Sequence, residues 1–250
     1  MAADDLSLPR ILCLHGGGTS AEVFEIQCRI IIRQLENRCR LVFVNGPWTS
    51  QAHPAILPYF ADLGPFYRWL RWNDDDPFDP KGEEKILKAV ERAMREDPGK
   101  GDFVGVLGFS QGAKIAGSLL WAQEKSPKPR TNFKFGVILA GRAPYVVLDP
   151  EKQLPSIPHV ADIGQQSVDF KDWAPSNEGE HVLSLPTLHV HGLKDPGLEE
   201  HRVLLKNYCK TGTTRLIEWD GDHRVPIQAD IVTKLVGYIT EMAHETGLDI

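Results

Sequence analysis

The sequence predicts an α/β fold, a mostly parallel, doubly wound sheet with helices on both faces. Three observations carry that reading. Short apolar runs recur at residues 11–15, 41–45, 103–108, 135–139, 188–191 and 215–219. Several are continuously apolar instead of alternating, which is how strands buried on both faces read. Helix-period segments separate them, and a chain of 250 residues suits this architecture as a single domain, here residues 1–250.

The helical segments each show one apolar stripe. Residues 83–96 align Ile86, Leu87, Val90 and Met94, with Glu83 and Glu84 at the positive end of the helix dipole. Residues 111–124 place Ile115, Leu119 and Leu120 together. The last helix is expected from near Pro226, with Ile227, Ile231, Leu235 and Ile239 on one face and Val232 and Val236 beside them. Two stretches break the alternation. Residues 46–80 hold six prolines together with Trp48, Tyr59, Phe60, Phe66, Tyr67, Trp69 and Trp72, and residues 141–185 are rich in turn formers. Connections this long are often lids or pocket walls.

Composition excludes several classes of function. The net charge of −6 argues against general nucleic-acid binding, which needs a basic face. No apolar run approaches the roughly 18–20 residues that span a bilayer. The opening MAADDLSLPR has no apolar signal region, so a cytosolic location is expected. Four cysteines, at 13, 28, 39 and 209, match no CxxC pair and are expected to be reduced and buried.

The strongest chemical signal is Gly108-Phe109-Ser110-Gln111-Gly112, between an apolar run and a helical segment. A GxSxG sequence at a strand–turn–helix junction raises its serine on a sharp bend, and the flanking glycines leave room for the backbone to close. The hydroxyl then stands at a helix N-terminus, which favours developing negative charge. A serine needs a base, and in this arrangement the order along the chain is serine, acid, histidine. Of nine histidines, His223 lies in a polar turn between the last strand and the last helix. By contrast His244 is late in the final helix, His201 is on a polar helical segment, and His189 and His191 belong to a strand. Asp195, in the loop after that strand, is the expected acid, because it can approach the far imidazole nitrogen from a separate loop. Asp195 is also placed to cap the helix starting near Pro196, and Asp220 and Asp222 adjoin His223.

A tetrahedral intermediate needs backbone donors already aimed at its oxyanion. Gln111 supplies one amide. The run His15-Gly16-Gly17-Gly18-Thr19 after the first strand supplies the other, from Gly17 with Gly18 as second choice. The same glycines make a poor phosphate loop, since no GKS or GKT follows. No metal site is expected: neither Asp74-Asp75-Asp76 with Asp79 nor His189 with His191 has the spacing of a known ligand motif. The aromatic stretch after residue 46 is the expected wall of an acyl pocket, with Trp48, Tyr67 and Trp69 as substrate contacts.

These motifs, with Phe43-Val44-Asn45-Gly46-Pro47, Gly64-Pro65-Phe66-Tyr67-Arg68-Trp69-Leu70, Gly192-Leu193-Lys194-Asp195 and Asp222-His223-Arg224-Val225-Pro226, carry a resemblance over nearly the whole chain. The sequence resembles the α/β-hydrolase superfamily and, within it, the FSH family of serine hydrolases. It looks most like the thioesterase and esterase branch found in fungal polyketide gene clusters. The resemblance implies an α/β-hydrolase fold with a lid-like insertion, a triad of Ser110, Asp195 and His223, and no cofactor. It further implies hydrolysis of an acyl ester or thioester in secondary metabolism, with an acyl carrier domain of a polyketide synthase as partner. A short-chain carboxylesterase, an acyltransferase and a non-catalytic ligand-binding relative are the competing readings. A carrier domain is usually acidic, so docking calls for a local basic patch such as Arg68, Arg71 or Arg142.

Overall fold

The computed structural model describes residues 5–250 apart from Trp72, Asp74 and residues 166–168. The chain runs β1 (Arg10–Leu14), α1 (Ala21–Gln27), α2 (Arg29–Leu35), β2 (Arg40–Val44), β3 (Trp48–Ser50), α3 (Leu57–Phe60) and β4 (Phe66–Arg68). It continues α4 (Gly82–Glu96), β5 (Phe103–Phe109), α5 (Gln111–Lys125), β6 (Phe135–Leu139), β7 (Thr187–Gly192), α6 (Leu198–Asn207), β8 (Thr214–Trp219) and α7 (Ala229–Glu245). The six expected strands are all present and form one sheet in the order β2-β1-β5-β6-β7-β8. Every pairing in it is parallel.

The continuous apolar runs are explained by burial on both faces. Leu12, Leu14, Val42 and Val106 pack with α4 and α5, while Ile11, Cys13, Val104 and Leu107 pack with α1, α2 and α7. Strand alternation sends neighbouring residues to opposite layers, so Ile11 to Leu14 in β1 and the side chains of β5 are apolar throughout. The four cysteines are free and buried.

The ends of some elements differ from expectation. The last helix begins at Ala229, not near Pro226, and Ile227 is exposed outside its buried stripe of Val232, Leu235, Val236 and Ile239. Gln228 keeps extended backbone at the N-cap, φ −67° and ψ 129°, so residues 226–228 continue the loop and the helix starts after them. The 46–80 stretch contains an antiparallel pair, β3 with β4, that the sequence did not announce. The pair is tied to the glycine loop: Tyr67 donates its amide to the Thr19 carbonyl at 2.6 Å, and Gly18 donates to the Tyr67 carbonyl at 2.9 Å. Residues 141–185 pack onto α5 through Tyr145, Val146, Leu148, Ile157 and Ala161, and the Val146 amide donates to Ser118 Oγ at 2.9 Å.

The junction of β5 and α5 is closely packed. Ser110 has φ 53° and ψ −114°, a conformation that side-chain-bearing residues rarely adopt. A Cβ on Gly108 would collide with the Gly112 backbone, and one on Gly112 would collide with the carbonyls of Leu14 and His15. The helix start is thereby pressed against the end of β1. Gly112→Ala is expected to lower stability by about 2–3 kcal/mol or more. A thermal melt followed by circular dichroism checks this, and an unchanged melting temperature would contradict it.

Candidate active site

The three sequence-predicted polar residues meet at the carboxyl edge of the sheet. The Ser110 hydroxyl lies 2.9 Å from His223 Nε2, and His223 Nδ1 lies 2.6 Å from Asp195 Oδ2. The carboxylate can only accept, so Nδ1 carries the imidazole proton and Nε2 presents its lone pair to the serine. Asp195 comes from the loop after β7 and His223 from the loop after β8, neighbouring strands whose loops converge. The Phe109 ring, 5.0 Å from the His223 ring, backs the imidazole.

Asp195 uses both oxygens. Oδ1 accepts the Gly197 amide at 2.8 Å, which makes Asp195 the cap of the turn leading into α6 as well as the partner of His223. Its side chain is only 1% exposed. Burial alone would raise its pKa, but the hydrogen bonds from His223 and Gly197 outweigh burial and hold the carboxyl below its usual range. The acids adjoining His223 are engaged elsewhere: Asp222 takes Arg224 in a two-point contact at 2.6 Å, and Asp220 pairs with Lys194 at 2.7 Å. His244 is half exposed and faces Asp249.

The glycine loop lies beside Ser110, with the Cβ direction of Gly16 pointing to within 3.6 Å of Ser110 Cβ. Among the described residues, the amides of Gly17 and Gln111 have no backbone acceptor, whereas the Gly18 amide is spent on Tyr67. That leaves Gly17 and Gln111 as the available pair and removes the second choice, Gly18. His15 holds the loop in place. Its Nε2 accepts the Gly46 amide at 2.9 Å, so its Nδ1–H donates to the Gly16 carbonyl at 2.6 Å.

Two features of this loop were missed in the sequence. The Gln111 side chain accepts the amides of Trp69 at 2.7 Å and Leu70 at 3.2 Å and donates to the Leu70 carbonyl at 3.1 Å. It thus fastens the chain after β4 to the start of α5, the helix that follows Ser110. A polar residue beside a motif serine is the available signal, but its amide already has a role there and hides the second one. The other feature is a row of buried imidazoles: His201 is 0% exposed although α6 reads as polar, and His189 and His191 are buried in β7. Their ring centroids are spaced 6.1 Å (His189 to His191), 5.5 Å (His191 to His201) and 6.2 Å (His201 to His223).

The expected aromatic contacts fare differently. Trp69 is 0% exposed, its Nε1 donates to the His15 carbonyl at 3.0 Å, and its ring packs in the core. A ring with no free surface cannot touch an acyl chain, so the assignment of Trp69 as a substrate contact is corrected to a support of the glycine loop. Trp48 lines a small cavity with Leu70, Phe78 and Ile163 and donates to Asp79 at 3.3 Å. Tyr67 stays half-buried beside His15. Trp72 and Asp74 lie outside the described residues. Arg68 is buried against Asp76, and Arg71 donates to the Asp76 carbonyl at 2.8 Å. Of the three arginines considered for a basic patch, only Arg142 is exposed.

An α/β-hydrolase sheet with a serine, an imidazole and a carboxylate aligned at its carboxyl edge defines the class as a serine hydrolase. The chain belongs to the FSH1 serine hydrolase family, whose model matches residues 5–235. It is 46% identical to the esterase pigG of Monascus ruber, covering 99% of this chain and 96% of the relative. It is 42% identical to the esterase claE of Penicillium crustosum, covering 97% of this chain and 96% of that protein. The fold is similar to the crystal structure of Arabidopsis thaliana SOBER1, with a TM-score of 0.52 at 18% identity over 94% of this chain and 99% of that one. No helix among the described residues is long and apolar enough to cross a membrane.

The buried imidazoles make folding sensitive to acid. Burial pushes His189 and His201 down to about 3 and His15 and His191 down to about 4. The unfolded chain protonates these groups near pH 6.5 and the folded chain does not. Stability is therefore complete above about pH 6.5 and falls as pH drops toward 4, each group removing about 1.4 kcal/mol per pH unit. Melting temperatures between pH 7 and pH 4.5 are expected to decline steadily, and a level profile would contradict neutral burial. Gln111→Ala, which leaves the Trp69 and Leu70 amides unpaired, is expected to cost about 1–3 kcal/mol in urea unfolding.

Proposed function

We propose that this chain hydrolyses an acyl ester or thioester through an acyl-enzyme on Ser110, and that its particular reaction is release of a polyketide acyl chain from the thioester of a carrier domain. The observation that carries the chemical part is the unbroken contact line from Ser110 Oγ through His223 to Asp195 Oδ2, at 2.9 and 2.6 Å. His223 Nε2 takes the serine proton as Oγ attacks the carbonyl, and Asp195 stabilises the imidazolium and fixes its orientation. The amides of Gly17 and Gln111 receive the oxyanion. Collapse of the intermediate passes the His223 proton to the departing thiolate or alkoxide. Water, deprotonated by the same imidazole, then attacks the acyl-Ser110 ester and restores the serine. No metal or cofactor has a step in this sequence.

The polyketide part rests on the resemblance described above and on exposed Arg142, which is available to meet an acidic carrier. Relatives named as esterases favour a second reading, hydrolysis of a free oxygen ester. The two separate when purified protein is given short nitrophenyl esters and carrier-bound acyl thioesters side by side. The proposed reading expects the thioester to have the higher kcat/KM by at least tenfold, and the reverse order would replace it with the second. In either case Ser110→Ala is expected to reduce turnover by about 10⁴-fold or more while keeping the native melting temperature. Substantial ester cleavage by that variant would move the chemistry elsewhere.

A further inference from the structure

The buried imidazoles behind the triad form a second constellation. Nothing in the hydrolytic sequence uses His201. Its side chain is 0% exposed, and among the described residues neither of its ring nitrogens has a hydrogen-bond partner. Buried polar atoms are nearly always paired, so an unpaired imidazole calls for an explanation. His201 Nε2 points toward Asp195 Oδ2 at 3.8 Å, too long for a hydrogen bond. One ligating atom each from Asp195, His201 and His223 lies within 4.8 Å of the others.

We propose that Asp195, His201 and His223 form an inhibitory site for a zinc-class divalent transition-metal ion, which closes the catalytic line by occupying Nδ1 of His223. The idea rests on the triad reading, since it describes regulation of that site. Two imidazoles and one carboxylate are a donor set that zinc favours, with a water as fourth ligand. Magnesium and calcium take oxygen ligands and do not suit it. Tetrahedral bonds of roughly 2.0–2.1 Å set ligand atoms about 3.4 Å apart. The Asp195–His223 gap of 2.6 Å must open and the His201–Asp195 gap of 3.8 Å must narrow, each by less than about 1 Å, and the two imidazoles, whose ligating atoms lie within 4.8 Å, must close by up to about 1.4 Å. Asp195 is held for this by its Oδ1 contact with the Gly197 amide, which leaves Oδ2 facing both imidazoles. Of the three, His223 is 29% exposed while Asp195 and His201 are buried, so the ion and its water enter only as the His223 ring moves aside.

The step balances without loss of a proton. His223 stays neutral, and its one ring proton moves from Nδ1 to Nε2 as Nδ1 binds the metal. Nε2–H then has no lone pair for the Ser110 proton, and acylation stops. Removing the ion reverses both changes.

The test follows nitrophenyl acetate hydrolysis by the full chain in a non-chelating buffer. Zinc chloride is expected to abolish at least nine-tenths of the rate, EDTA to restore it, and magnesium or calcium chloride to leave it unchanged. In His201→Phe, measured against that variant's own metal-free rate, the zinc midpoint is expected to rise at least tenfold. Calorimetry on Ser110→Ala, which needs no turnover, is expected to show one zinc bound with wild-type affinity. If His201→Phe does not fold, ring-nitrogen NMR of the wild-type protein replaces it, with the His201 and His223 signals expected to shift together. An unchanged midpoint in His201→Phe, movement of His223 alone, loss of zinc binding in Ser110→Ala, or no inhibition at all would each overturn the site. Activity retained by Ser110→Ala would instead overturn the triad reading and is scored separately.

Discussion

The strained backbone at Ser110 is the constraint on which the rest of the site depends. A φ of 53° with ψ −114° is held only because β5, α5 and β1 are packed so closely that residues 108 and 112 have no space for a side chain. That packing presents the hydroxyl beyond the sheet edge and leaves the Gln111 amide, at the helix start, without an intrahelical acceptor. It also sets the glycine loop beside Ser110, because the loop follows β1 directly. The raised Ser110 hydroxyl and the unspent Gln111 and Gly17 amides are therefore two consequences of one contact, which is the preorganisation the proposed acyl transfer needs.

A second layer of contacts keeps this edge from relaxing. His15 bridges Gly16 and Gly46, Trp69 caps the His15 carbonyl, and the Gln111 side chain holds Trp69 and Leu70. The β3–β4 pair joins the same loop through Tyr67, Gly18 and Thr19. Polar residues here are uncharged: burial keeps His15 neutral, so it can accept from one amide while donating to a carbonyl. The aromatic insertion thus anchors the glycine loop after β1, with Trp69 turned inward to do so.

The sheet was legible in the sequence because burial on both faces leaves a continuous apolar signature, and all six strands read true to within about a residue at each end. The positions of Ser110, Asp195 and His223 were legible for a different reason: strand–loop–helix order restricts which loops can reach one edge. What stayed hidden depended on side-chain direction. The density of aromatics in residues 46–80 says that rings need burial, yet not that Trp69 enters the core while Tyr67 remains at the rim. In α6, Leu198–Asn207, a polar composition concealed a face on which His201 and Leu204 are buried. Of the two readings of Asp195, the histidine partner is met by Oδ2, which contacts His223, whereas the helix-cap reading fails: α6 starts at Leu198 with Gly197 as N-cap and no side-chain cap, and Oδ1 closes only the turn before it.

The proposed hydrolysis requires a serine made nucleophilic by an imidazole far away in sequence, at the 2.9 Å contact of Ser110 with His223. The most direct measurement is mass spectrometry of the protein after reaction with a fluorophosphonate, in the wild type and in His223→Ala. The account predicts one equivalent of label, attached to Ser110 and formed with loss of all hydrolysis, and labelling slowed by orders of magnitude in the variant. Label on a different residue, or full labelling of Ser110 without His223, would contradict it.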